Sequence, residues 1–94
     1  MVRIDKIKYF NIYSNKDGSY IVHNTHKEFA NGHTHINNYN TCKYIIYLVL
    51  YKRLPKKNHL SLYLIDSLIR ISDDEPYTNK IKKFKKEQQM KKNR

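Results

Sequence analysis

The chain has 94 residues and a formal net charge of +11, from 19 Lys and Arg against eight Asp and Glu. That length leaves room for one domain with a small core, and the single cysteine, Cys42, excludes an internal disulfide. The longest apolar run, Tyr44 to Tyr51, is far short of the ~20 residues of a membrane-spanning helix, and Met1 to Tyr13 has no signal-peptide apolar stretch, so the expectation is a soluble, cytoplasmic protein.

Arg3 to Tyr13 is rich in β-branched and aromatic residues and reads as one strand. Asp17-Gly18 then signals a turn that tolerates positive φ. Tyr20 to Thr25 reads as a second strand, completing a β-hairpin with a loop longer than two residues. Asn31-Gly32 is a second turn signal, and His33 to Asn37 would add a short third strand. A period of two places Phe10, Ile12, Tyr20, Val22, Thr34 and Ile36 on one face. The other face would show Tyr9, Tyr13, Ile21, His23, His33 and His35.

Asn38 to Thr41 is a run of helix N-cap residues. Cys42 to Arg53 follows, with β-branched and aromatic content that also suits a buried strand. The caps, the length and the Leu54-Pro55 stop favour helix. Asn58 would cap a second helix from His59 to Ile71, with Leu60, Leu64, Leu68 and Ile71 on one stripe. A connection of about four residues would make the pair an αα-hairpin. Ser72 to Pro76 (SDDEP) carries acids and a proline suited to a helix start. A third helix would run from Pro76 to about Gln89, with Tyr77, Ile81 and Phe84 as its apolar residues. The fold class is therefore α+β: a small antiparallel sheet, a hairpin plus a short third strand, followed by two or three helices. We expect residues 1–77 to form the domain and 78–94 a basic, partly disordered helix or tail.

Charge is concentrated at that end. Thr78 to Arg94 holds eight Lys or Arg and one acid, Glu87, and so carries +7. A block of this kind attracts polyanions, nucleic acid first among them. Lys80, Lys82, Lys83, Lys85 and Lys86 would cover several sides of a helix and track phosphates. Lys52, Arg53, Lys56 and Lys57 form a second basic patch around the helix–helix turn. Tyr9, Tyr13, His33 and His35 would add stacking or phosphate contacts from the open sheet face. Against these stands the bland reading of a solvated tail. Ile81 and Phe84 alone make too thin an apolar face for a membrane-surface helix.

Other chemistry is poorly supported. His23, His26, His33 and His35 fall close together, and two strands would bring His23 near His33 or His35. No carboxylate motif or second cysteine joins them as a metal set, so we expect no metal and no cofactor. Cys42 with a nearby His would be a nucleophile–base pair on paper, yet it opens an apolar helix and reads as a packed residue. There is no Gly-rich phosphate loop, HExxH or GxSxG, and Asp73 and Asp74 read as helix caps; an enzyme is not expected. Read as a helix-turn-helix, the second helix would expose only His59, Ser61, Asp66 and Arg70, a poor reader of base edges. Its leucine stripe suits a core or a dimer interface better.

The stretch Asn31 to Ile71, NGHTHINNYNTCKYIIYLVLYKRLPKKNHLSLYLIDSLIRI, resembles small uncharacterised accessory proteins of staphylococcal phages and prophages. The Lys, Asn, Ile and Tyr-rich composition agrees. The resemblance implies a phage context, a bacterial host cytoplasm, and a role as a DNA-binding regulator or as an inhibitor of host or defence proteins, anti-CRISPR-like and non-catalytic. Strands followed by a helix, with aromatic and basic residues on an open sheet, are also similar to the arm-site DNA-binding domains of tyrosine recombinases, although this face has fewer Arg and Lys. The expected partner is nucleic acid, DNA before RNA. The alternative is a host or defence protein bound by a homodimeric adaptor.

Overall fold

A computed structural model describes residues 1–56 and 61–92 of the chain. Four strands, β1 (Val2–Ile7), β2 (Phe10–Ser14), β3 (Tyr20–Asn24) and β4 (His33–Ile36), form one antiparallel sheet in the order β1-β2-β3-β4. A single turn of helix, α1 (Phe29–Gly32), joins β3 to β4. Helices α2 (Tyr39–Leu50), α3 (Leu62–Ile71) and α4 (Glu75–Lys92) follow. The α+β reading holds, with one more strand than the sequence announces.

The extra strand comes from a turn at Lys8. The stretch from Arg3 to Tyr13 folds back on itself, so that Ile7 pairs with Phe10 and Val2 with Ser14. Lys8 takes a φ of 54°, a left-handed conformation that a lysine adopts at some cost. The second hairpin is the expected one: Gly18 has a φ of 87°, and the Ser19 amide donates to the Asp17 carboxylate at 2.9 Å.

The alternation along the strands sorts their two faces. Phe10, Ile12, Val22 and Ile36 are buried on the inner face and pack under the helices. Thr34 is buried there too, its hydroxyl 2.7 Å from that of Ser67 on α3. Asn24 is fully buried at the end of β3. Its side chain donates to the Ile71 carbonyl at 2.8 Å and accepts from the His26 amide at 2.8 Å. A buried amide with both ends partnered is tolerable where an unpaired one is not.

Helix α2 begins earlier than expected and ends earlier. Asn38 caps it by accepting from the Thr41 amide, and Tyr51 follows its last residue. Cys42, Ile45, Ile46 and Val49 face the core at helical spacing. Lys52 takes a φ of 55° and the Arg53 amide returns to the Leu48 carbonyl at 2.8 Å, so the chain leaves the helix before Pro55. Helix α3 starts at Leu62 rather than His59, because the Ser61 side chain accepts from the Leu64 amide. Helix α2 thus ends at Leu50 and α3 begins at Leu62. The expected cap Asn58, with His59, Leu60 and Lys57, lies outside the described residues.

Helix α4 is anchored rather than loosely attached. The Asp74 carboxylate accepts from the Tyr77 amide at 2.9 Å, capping the helix. Tyr77 and Ile81 are 2% and 0% exposed and belong to the same core as α2 and α3. Phe84 packs against that core. The helix crosses the expected boundary after residue 77 without a break and reaches Lys92, past Gln89.

Candidate nucleic-acid interface

The lysines of α4 divide by position. With Tyr77, Ile81 and Phe84 facing inward, helical geometry turns Lys82, Lys83 and Lys86 outward, with Lys80 at their edge. These four are exposed. None has an acidic partner among the described residues. Lys85 differs: it is half-buried and donates to the Asp66 carboxylate of α3 at 2.6 Å. Glu87, the one acid of this segment, forms no ion pair among the described residues. The acids gather instead at the start of the helix, where Asp74 and Glu75 meet its positive dipole end. The outer face of α4 is thus cationic beyond its first turn, and buried Tyr77 and Ile81 anchor the helix on the other side.

The second basic patch meets this helix at its start. The Lys52 ammonium pairs with Asp74 at 3.0 Å. The Tyr77 hydroxyl donates to the Arg53 carbonyl at 2.8 Å. The Tyr77 amide first, and then Lys52, hold the Asp74 carboxyl below the usual carboxylate range. Arg53 and Lys56 are exposed, and the Lys56 amide donates to the Tyr44 hydroxyl at 3.0 Å. Of the nine basic residues expected to form the interface, Lys52 and Lys85 are therefore tied to carboxylates, and Lys57 lies outside the described residues.

The sheet residues are not gathered into the same surface. On the outer face, Arg3, Tyr13, Ile21 and His35 form one cross-strand row. Lys6, Asn11, His23 and His33 form the next. Tyr9 is not on this face. It sits in the β1–β2 turn and stacks on His26 at 4.0 Å between ring centroids. His26 in turn contacts Asp73 at 2.8 Å. Burial, then the Asp73 carboxylate, raises the Tyr9 hydroxyl above its ordinary value. Unbroken alternation would place Tyr9 beside Tyr13; the turn at Lys8 breaks it.

Phe29, which the sequence does not mark, folds across the outer face. It stacks on His33 at 4.3 Å and meets His23 and Tyr13 edge-on. His23 Nε2 reaches the Lys27 carbonyl at 2.9 Å and His33 Nδ1 the Phe29 carbonyl. Carbonyls only accept, so both of these ring nitrogens carry protons. No group of three or more His, Cys, Asp or Glu among the described residues could hold a metal ion. Cys42 is fully buried, and burial pushes its thiol up to about 11.

A further pair is exposed where the sequence reads as core. Tyr47 and Tyr51 lie one turn apart on the solvent side of α2, 48% and 62% exposed, with ring centroids 4.9 Å apart. Their signal is present in the spacing: Lys43, Tyr47 and Tyr51 recur every four residues, opposite the buried stripe. No helix among the described residues is long and apolar enough to cross a membrane. Comparison with known protein families, with curated proteins and with solved structures finds no match to this chain.

Proposed function

We propose that the chain binds nucleic acid through its phosphates, with the outer face of α4 as the principal contact. The observation that carries this reading is the set Lys80, Lys82, Lys83 and Lys86, exposed and without acidic partners among the described residues, on a helix fixed by Tyr77 and Ile81. Fixed cations lose less freedom on binding than cations on a loose tail. Lys82 and Lys86 stand one helical turn apart, so one strand of phosphates can meet both. Arg53 and Lys56 extend the basic surface beyond the helix start. Lys52 and Lys85 contribute less, because Asp74 and Asp66 already offset their charge.

The test is substitution, not truncation. Removing residues 79–94 would take Ile81 out of the core and confound binding with folding. Lys82, Lys83 and Lys86 should be changed together to Gln, against a control with Lys6, Lys8 and Lys16 changed to Gln. Both variants lose the same charge, all from exposed positions. Duplex DNA titrated at low salt should bind the first variant about tenfold or more weaker and the control nearly as well as the parent, since each phosphate left unneutralised weakens binding. Equal weakening in both would reduce the face on α4 to a share of the net charge.

A protein-binding inhibitor or adaptor is the second reading, favoured by exposed Tyr47, Tyr51 and Leu54. Retention of a host protein after nuclease treatment, abolished on changing Tyr47 and Tyr51 to Ala, is its test.

A further inference from the structure

Tyr47 and Tyr51 stand apart from most tyrosines of this chain. Tyr77 is in the core, Tyr39 donates to Asp5, Tyr63 donates to the His35 carbonyl, and Tyr9 is stacked on His26. Tyr47 and Tyr51 touch each other and otherwise face outward, Tyr47 on α2 and Tyr51 directly after its last residue. Beside them is a cleft of about 300 Å³ lined by Tyr44, Tyr47, Leu48, Arg53, Leu54 and Lys56. The charged groups on its wall, among the described residues, are both cations. Lys43 lies one turn before Tyr47 on the same face of α2 and is exposed. The surface is thus a pair of open aromatic rings bordered by Lys and Arg, with no carboxylate among the described residues that line the cleft.

We infer that Tyr47 and Tyr51 are a base-stacking platform, and that the partner is single-stranded nucleic acid. This rests on the proposed phosphate contact and names the form of nucleic acid that it would hold. Every base offers a π-face, whereas a duplex keeps those faces stacked inside. The two rings already touch, so bases lie on their outward sides rather than between them. Arg53 and Lys56 then meet the flanking phosphates. The residues that follow the rings meet the start of α4, where Tyr77 donates to the Arg53 carbonyl and Lys52 pairs with Asp74. An acidic protein segment is a poorer fit. The apolar floor among the described residues is Leu48 and Leu54, and Leu54 is itself 37% exposed.

The experiment compares three fluorescein-labelled probes of equal length, about twelve nucleotides: oligothymidylate, the same strand without bases, and a duplex. Each is titrated with the full chain, with Tyr47→Ala/Tyr51→Ala, and with Tyr47→Phe/Tyr51→Phe. Both rings are exposed, so the Ala variant leaves the core intact, and circular dichroism checks this. The full chain should bind oligothymidylate at least about 5-fold tighter than the base-free strand, the lower end for one stacked base. The Ala variant should lose that preference and keep its affinity for the base-free strand. The Phe variant should keep the preference, since it retains the rings. Equal binding of both single strands by the full chain would overturn the platform and leave the phosphate reading standing. Binding to none of the probes would overturn both. If the Ala variant binds all three probes like the full chain but no longer retains a nuclease-resistant protein partner, the surface belongs to a protein and the inference is wrong.

Discussion

The Tyr77 hydroxyl donates to the Arg53 carbonyl at 2.8 Å, so one buried ring joins the lysine-bearing helix to the segment that carries exposed Arg53 and Lys56. This hydrogen bond fixes where the two basic surfaces meet.

Tyr77→Phe removes the hydrogen bond and keeps the ring. It should cost about 1 kcal/mol in urea unfolding, while Tyr77→Ala should cost about 3–5 kcal/mol. Burial also raises the Tyr77 hydroxyl above its ordinary value. A folded value above the unfolded one gives stability that is complete below the unfolded value near 10 and is lost as pH rises past it. The alkaline fall in stability should therefore be shallower in Tyr77→Phe. Identical alkaline profiles would mean that another group governs it.

Asp74 titrates in the opposite sense. Its carboxyl is lowered by the Tyr77 amide first and by Lys52 next. A lowered folded value gives stability present above the unfolded value of 3.8 and lost as pH falls through the folded value. Asp74→Asn keeps a capping oxygen and loses the charge. Thermal unfolding of that variant should depend less on pH below about 4 than that of the parent. Parallel curves would remove Asp74 from the acid response.

Asn24 is the polar joint between sheet and helix. Asn24→Ala leaves the Ile71 carbonyl and the His26 amide without their partner and should cost about 1–3 kcal/mol. Urea unfolding measures this directly. A change below a few tenths would mean that other groups replace it.

Cys42 should be inert in the folded chain. Its sulfur is buried and its thiol pushed up to about 11, so at a pH of about 8 little thiolate is present and little is accessible. Reaction with a disulfide reagent should follow global unfolding and accelerate with urea. Rapid reaction in native buffer would show that α2 opens locally.

Much of this architecture is legible in the residues themselves. Alternation identifies Phe10, Ile12, Tyr20, Val22, Thr34 and Ile36 as one face; Tyr20 is partly buried and the other five are buried. Gly18 marks its turn because it supplies the positive φ that the loop needs. Lys8 gives no such sign, since lysine carries no preference for that conformation, and the turn it makes divides an expected single strand and takes Tyr9 off the sheet. The start of α2 is blurred in the sequence because Asn38, Asn40 and Thr41 are all good caps and only packing chooses among them. At the candidate interface, the lysines are legible as a block of charge but not as a face. Asp66 and Asp74 draw Lys85 and Lys52 toward the body, and the carboxylates that do so lie 19 and 22 residues away in the chain. Tyr47 and Tyr51 are hidden in an apolar run whose helical period must be known before their exposure can be read.

The most direct measurement is the salt dependence of oligonucleotide affinity for the parent and for the variant with Lys82, Lys83 and Lys86 changed to Gln. Fluorescence anisotropy at several salt concentrations gives the slope of log affinity against log salt. If these lysines each hold a phosphate, the slope should shrink by about 2 on a single strand and by about 2–3 on duplex DNA, near 0.7 and 0.9 for each phosphate no longer neutralised. An unchanged slope would contradict the claim that the outer face of α4 is where this protein meets nucleic acid.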